Sequence, residues 1–374
     1  MTTERICYIH AGTGKTGSSA IQYTLTKVAD DLRARGYSYP DFDRSFDRVL
    51  DFKPTAGNAR VINRQVHSGR VDQALDWFSP HADDPSHLIL SNEGFVNART
   101  EYLTKFSEGL RGFGYTTRCL VFFRLQYDLV VSSYLQQVKS DKVEHSQTLR
   151  EYALSRYGNT RNPFNWLERV KRLERAFSNV TVRWYPAVAR QGPNGVVDAA
   201  FQWLGVPSLA SASGARIINP TPGLEALHVL QRINAKGLGG KPVADAILIR
   251  AQAEGLLGSK VVLDDETTRL IHSAMYESNV ALLKRYCPDL SPAEELKLPT
   301  FPTEQASLDP EIVKQLDAIA AEVIAQVKDG SLDPRRRQRA RRDLNARAGE
   351  PRRDGTRDRR WGRRSAVGQA PSGD

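Results

Sequence analysis

The chain has 374 residues and only three cysteines, Cys7, Cys119 and Cys287, each far from the others. So few and so scattered, they exclude a disulfide framework and any Cys-based metal site, and read as reduced thiols of a cytoplasmic protein. No apolar run approaches the 18 residues that mark a membrane span. No segment repeats at a fixed period, which sets aside solenoids and propellers. Residues 1–5 lead straight into a strand-like run, so no secretory leader is expected. With 40% hydrophobic and 26% charged residues, what remains is an ordinary globular composition with enough chain for a sizeable core.

The formal charge of +10 is unevenly held. Residues 331–374 contain 14 Arg, no Lys and 6 acidic residues, a balance of +8, leaving about +2 for everything before them. The body of the protein is therefore not a basic nucleic-acid binder by composition. The tail, with Arg335-Arg336-Arg337 and four further Arg pairs, has too few apolar residues to offset the entropy of ordering. It reads as a disordered extension, either simply solvated or in contact with an anionic membrane or another polyanion. The domain expectation is one folded body, 1–330, and a tail, 331–374.

Strand-like runs fall at Ile6–His10, His87–Ser91, Arg118–Phe123 and Val180–Trp184, separated by long stretches of helical periodicity. Such alternation predicts an α/β fold with a mainly parallel central sheet flanked by helices. The first helix is expected from Ser18 to about Ala34, stopped by Gly36. Others are expected over Leu129–Lys139, Trp166–Phe177 and Thr268–Tyr286, and a helical C-terminal part follows Asn219.

The first strand runs into Ala11-Gly-Thr-Gly-Lys-Thr-Gly-Ser-Ser19, three glycines around Lys15 with two serines opening a helix. Small residues let backbone N–H groups curl around an anion, the helix N-terminus adds its positive end, and the lysine supplies a point charge. The nucleotide-triphosphate loop G-x-x-x-x-G-K-[ST] needs a glycine where Ile9 stands. Gly14-Lys15-Thr16-Gly17-Ser18-Ser19 instead resembles the 5′-phosphosulfate loop, P-K-[ST]-G-[ST]-[ST], of sulfotransferases that use 3′-phosphoadenosine 5′-phosphosulfate (PAPS), with glycine in place of proline. His10 and Gln22 match extensions common in bacterial members.

A second site supports that resemblance. Arg124 leaves a strand, and Ser132 follows eight residues later in a helix. Arginine at a strand's carboxyl end points into the crevice where open α/β sheets bind ligands. In the family an arginine and a serine so placed hold the donor's 3′-phosphate. The resemblance covers about residues 4–290 and implies a P-loop-like sulfotransferase architecture. It implies PAPS as donor, no metal, and a carbohydrate, lipid or small-molecule acceptor with a hydroxyl or amine. Gly14, Lys15, Thr16, Gly17, Ser18, Ser19, Arg124 and Ser132 would bind the donor, with Lys15 also stabilising the leaving group.

Sulfuryl transfer to a hydroxyl needs a proton acceptor. Glu93, after the strand His87–Ser91, is one candidate and His10 is the other. Ser91 is a candidate to orient Lys15 or the transferring group, and Tyr134 and Gln137 are candidates to face the acceptor. The family's R-K-G element for the 3′-phosphate has no counterpart in this sequence. Two other readings stand beside this one: an ATP-dependent kinase or NTPase, favoured by Gly14-Lys15-Thr16, and a non-catalytic polyanion binder.

Overall fold

The computed structural model describes residues 4–42, 44–50, 57–81, 84–143, 147–157, 164–213, 220–300 and 307–331. Five strands form one all-parallel sheet: β1 (Arg5–His10), β2 (Tyr37–Ser38), β3 (His87–Ser91), β4 (Tyr115–Phe123) and β5 (Asn179–Trp184). Their order is β2-β3-β1-β4-β5, so β1 is central and its carboxyl end opens between strands on both sides. The fold is α/β, with helices on both faces of the sheet. Strands covered on both faces read as continuous apolar runs, and Cys119–Phe123 of β4 is fully buried for that reason.

One face of the sheet packs on the helices Ser18–Lys27 and Gly195–Leu204, through Tyr8, Ile21, Leu25, Leu120, Phe122, Phe201 and Leu204. Across the other lie Thr100–Gly112 and Trp166–Ala176, which pack on each other. Burying so many large side chains at about 25 cal/mol per Å² of apolar surface is the main stabilising term, and it also fixes where the strand ends point. The chain beyond residue 220 is helical as expected, through Leu224–Ala235, Lys241–Ala253, Asp265–Tyr286 and Pro310–Lys328.

Some expectations shift in detail. The first helix breaks at Val28 into Ser18–Lys27 and Ala29–Ala34. Thr24 Oγ1 donates to the Ala20 carbonyl at 2.9 Å and Thr26 Oγ1 to the Gln22 carbonyl at 2.8 Å. Such back-bonding bends a helix. Strand β4 starts three residues before Arg118, which therefore sits mid-strand opposite Tyr8 and Asn179 rather than at the strand's start. The two-residue strand β2, unread in the sequence, follows Gly36, whose φ of 79° ends the helix before it.

The contacts divide the chain after Ile324. Of the second unit, only residues 325–331 are described, the end of the helix Pro310–Lys328 and a turn. The Arg-rich segment from residue 332 lies outside the described residues. Among those described, no helix is long and apolar enough to cross a membrane.

Candidate functional site: a glycine-rich loop joined to a cavity

The loop after β1 is held by its neighbour strand. Ala11 N donates to Leu120 O at 2.9 Å and Thr13 N to Phe122 O at 3.3 Å, continuing the parallel ladder past the end of β1. Thr13 Oγ1 adds a 2.8 Å bond to the same Phe122 carbonyl, and Thr16 Oγ1 donates to Thr13 O at 2.6 Å. The turn needs left-handed backbone at Gly17 (φ 80°) and also at Lys15 (φ 69°), a conformation costly for a residue with a Cβ. Gly17 caps the helix Ser18–Lys27, its carbonyl accepting from Ala20 and Ile21. The amides of Ser18 and Ser19, before that first bond, have no carbonyl of their own helix to donate to.

Lys15 Nζ donates to Gln136 Oε1 at 2.7 Å. Burial is the main cause that lowers the Lys15 pKa to about 8; Glu93 opposes the shift, while Lys139, Lys241 and Arg124 add to it. Glu93, just past β3, does stand against the loop: a Cβ on Gly14 would lie 3.4 Å from Glu93 Oε2. Burial raises its carboxyl above the usual range, countered by the nearby Ser18 hydroxyl and by Lys15. Lys15 and Glu93 thus face each other across a partly desolvated loop, where charges interact more strongly than in water.

Arg124 joins this loop to the second site. Its Nη1 donates to the Lys15 carbonyl at 2.8 Å and to Ser132 Oγ at 3.1 Å, and its Nη2 lies 3.7 Å from Asp128 Oδ2. Its guanidinium carbon is 5.2 Å from the centre of the Tyr185 ring, at the end of β5. Arg124 Nε is buried and has no hydrogen-bond partner. Trp166 Nε1 fixes the backbone by donating to Arg124 O at 2.8 Å. The helix Gln126–Lys139 that carries Ser132 is itself pinned by a reciprocal buried amide pair between Gln126 and Asn279, at 3.0 and 2.9 Å.

Arg124, Asp128, Ser132 and Tyr185 line a cavity of about 680 Å³, closed on the far side by residues 221–223, 257–263 and 297–300. Lys260 and Lys297 are on its wall. The loop before Lys260 is stitched to the start of the helix Leu224–Ala235: Gly223 N donates to Leu257 O, Leu224 N to Ser259 O, and Ser259 N to the buried carboxylate of Glu225. Gly258 (φ 84°) has no room for a side chain, because a Cβ there would collide with Glu225.

The chain matches no protein-family model, and no curated protein matches it. The site therefore rests on its own geometry. Gly14, Lys15, Thr16, Gly17, Ser18, Ser19, Glu93, Arg124 and Ser132 come together around the carboxyl ends of β1, β3 and β4. His10 lies behind the loop, only 3% exposed, with Nδ1 2.9 Å from Ser91 Oγ. Ser91 thus serves His10 and not Lys15. Tyr134 is buried, its hydroxyl bonded to Gln147 O and Gln231, so it belongs to the packing of its helix. At 100° per residue, Gln136 rather than Tyr134 shares the face of Ser132, which is why Gln136 meets Lys15.

Gln136, Asp128, Lys260 and Lys297 are the site residues sequence reasoning missed. Asp128 and Gln136 could have been found from their i+4 spacing to Arg124 and Ser132; the two lysines carry no such signal. Among the described residues, no group of three or more His, Cys, Asp or Glu side chains is arranged to hold a metal ion.

Proposed function

We propose that the protein transfers a sulfuryl group from PAPS to an acceptor hydroxyl or amine, such as that of a carbohydrate or lipid. The observation that carries this reading is the double donation of Arg124, which ties the Lys15 loop to a cavity of nucleotide size. A donor with anionic groups at both ends suits that layout, and the Arg124 guanidinium on the cavity wall suits a phosphate there. Lys260 and Lys297 offer the positive charge that the missing R-K-G element would have supplied.

Binding the donor at both ends aligns its sulfur with the acceptor oxygen. The acceptor oxygen bonds to sulfur, the bond from sulfur to the 5′-phosphate oxygen breaks, and Glu93 takes the acceptor's proton. Lys15 stabilises the charge that gathers on the departing phosphate oxygen. Burial raises the Glu93 carboxyl, and a carboxylate with a raised pKa is a stronger proton acceptor. Thr16, the residue whose hydroxyl would meet a metal in a nucleotide-triphosphate loop, is fully buried and bonded to Thr13 O, which weighs against the kinase or NTPase reading.

Calorimetric titration with adenosine 3′,5′-bisphosphate and with ATP–Mg²⁺ tests the reading. Tight binding of the bisphosphate without metal is expected. A preference for ATP–Mg²⁺ would transfer the site to the kinase class, and binding of neither would leave a polyanion-binding scaffold. Product mass spectrometry on a metabolite pool incubated with PAPS then identifies the acceptor.

A further inference from the structure

Behind the loop, three buried side chains stand in file. Gln22, Ser91 and His10 are 1%, 0% and 3% exposed. Gln22 Nε2 is 3.4 Å from Ser91 Oγ, and Ser91 Oγ is 2.9 Å from His10 Nδ1. An amide NH₂ can only donate, so the serine oxygen accepts from Gln22, which leaves the serine proton free to go to His10 Nδ1. A neutral ring that accepts at Nδ1 carries its proton on Nε2. Burial favours the neutral ring, lowering the His10 pKa to about 4.

His10 Nε2 is buried without a hydrogen-bond partner, and so is Ser18 Oγ. Both atoms border one spot under the loop: a Cβ built on Gly12 would lie 3.0 Å from His10 Nε2 and 3.1 Å from Ser18 Oγ. Ser18 in turn neighbours Glu93 and lowers its pKa against the effect of burial. Buried polar groups rarely stay unpaired, and here a donor and an acceptor face the same gap.

We propose that His10 is a positioning residue: Gln22 and Ser91 hold its imidazole in the Nε2–H form, and Nε2–H donates toward Ser18 Oγ, directly or through one water, so that the Ser18 proton is turned to the Glu93 carboxylate. Every hydroxyl in the file then donates once and accepts once, from Gln22 through Ser91, His10 and Ser18 to Glu93. In this form the Nε2 lone pair needed by a base is absent, so His10 does not compete with Glu93 for the acceptor's proton. The role given to Glu93 rests on the sulfotransferase reading, whereas the tautomer does not.

Nitrogen-15 NMR on the full chain labelled at histidine, at pH 7 and without ligand, reads the tautomer directly. The His10 signals are assigned by their loss in His10→Gln. An Nε2–H ring is expected in the wild type. In Gln22→Glu the new carboxylate accepts the Ser91 proton, so the ring should switch to Nδ1–H; Ser91→Ala should remove the preference. A wild-type ring that is Nδ1–H or doubly protonated overturns the proposal, as does an Nε2–H ring unchanged in both variants. Once transfer is measurable, His10→Phe should move the acidic limb of the kcat profile upward, because Glu93 loses the Ser18 proton, and lower the plateau by less than about tenfold. A plateau loss of about 100-fold or more with the limb unmoved would make His10 the base. Failure to find sulfuryl transfer leaves the NMR result intact, so the two readings fail separately.

Discussion

Arg124 Nη1 donates to the backbone carbonyl of Lys15 at 2.8 Å. One guanidinium thereby sets the position of the residue that lies at the centre of the loop, while its second bond, to Ser132, faces the cavity. A change in the loop is felt at the cavity wall through this side chain. Arg124→Lys keeps the charge but cannot reproduce the fork. Hydrogen bonds to charged groups contribute about 1.5–3 kcal/mol each, so Arg124→Ala should weaken adenosine 3′,5′-bisphosphate by roughly 10–100-fold, with Arg124→Lys losing most of that. Calorimetry measures both, and an affinity kept in Arg124→Lys would show that charge alone is needed.

Lys15→Ala should cost about 2.7–4 kcal/mol of transition-state stabilisation, as for loss of another preorganised donor. Turnover unchanged in that variant would remove Lys15 from the chemistry. Its pH behaviour offers a second check. With a pKa of about 8, Lys15 begins to lose its proton at mildly alkaline pH. An anion that binds the charged form should then weaken toward tenfold per pH unit above about pH 8, and this slope should vanish in Lys15→Met.

Glu93→Gln should lower turnover by about 10²–10⁴ and leave bisphosphate affinity in place. Its effect on stability has a definite sign. The folded-state pKa of Glu93 is raised, so the stabilising contribution is complete below the unfolded value and is lost as pH rises through the folded one. At pH 8 the glutamine variant should therefore melt no lower than the wild type, and its advantage should shrink as the pH falls toward 4. A variant less stable at pH 8 would make the carboxylate a structural partner of the loop.

Lys260→Ala and Lys297→Ala should each weaken adenosine 3′,5′-bisphosphate more than adenosine 5′-monophosphate, and more at low salt than at high, since both lysines are exposed on the cavity wall. Equal losses for the two nucleotides would place the 3′-phosphate elsewhere.

Gly17→Ala forces a Cβ into left-handed backbone and to within 3.1 Å of Val196 Cγ1. The conformation alone costs about 1–2 kcal/mol. Thermal melting should show a loss of at least that size, together with weaker bisphosphate binding, because the same turn aims the helix Ser18–Lys27 at the loop.

The four main strands were legible because a strand buried on both faces must be written as an unbroken apolar run, as in Cys119–Phe123. The helix Trp166–Ala176 was legible too: Val170 and Leu173, three residues apart, both turn inward. The break at Val28 was not, since back-bonding by the Thr24 and Thr26 hydroxyls leaves no mark in the period of the chain. Strand β2 was not, because two residues carry no period and Tyr37–Ser38 is a strand only by pairing with β3.

The glycine-rich loop and the Arg124–Ser132 spacing could be read from the chain alone, since each lies within one strand, turn and helix, where distance along the chain sets distance in space. Tertiary structure alone decided that Gln136 meets Lys15 across 121 residues, that Arg124 bridges both sites, and that Lys260 reaches the cavity over a loop held by Glu225. Those contacts follow from how helices seat on the sheet, and packing leaves no local period in the residues it brings together.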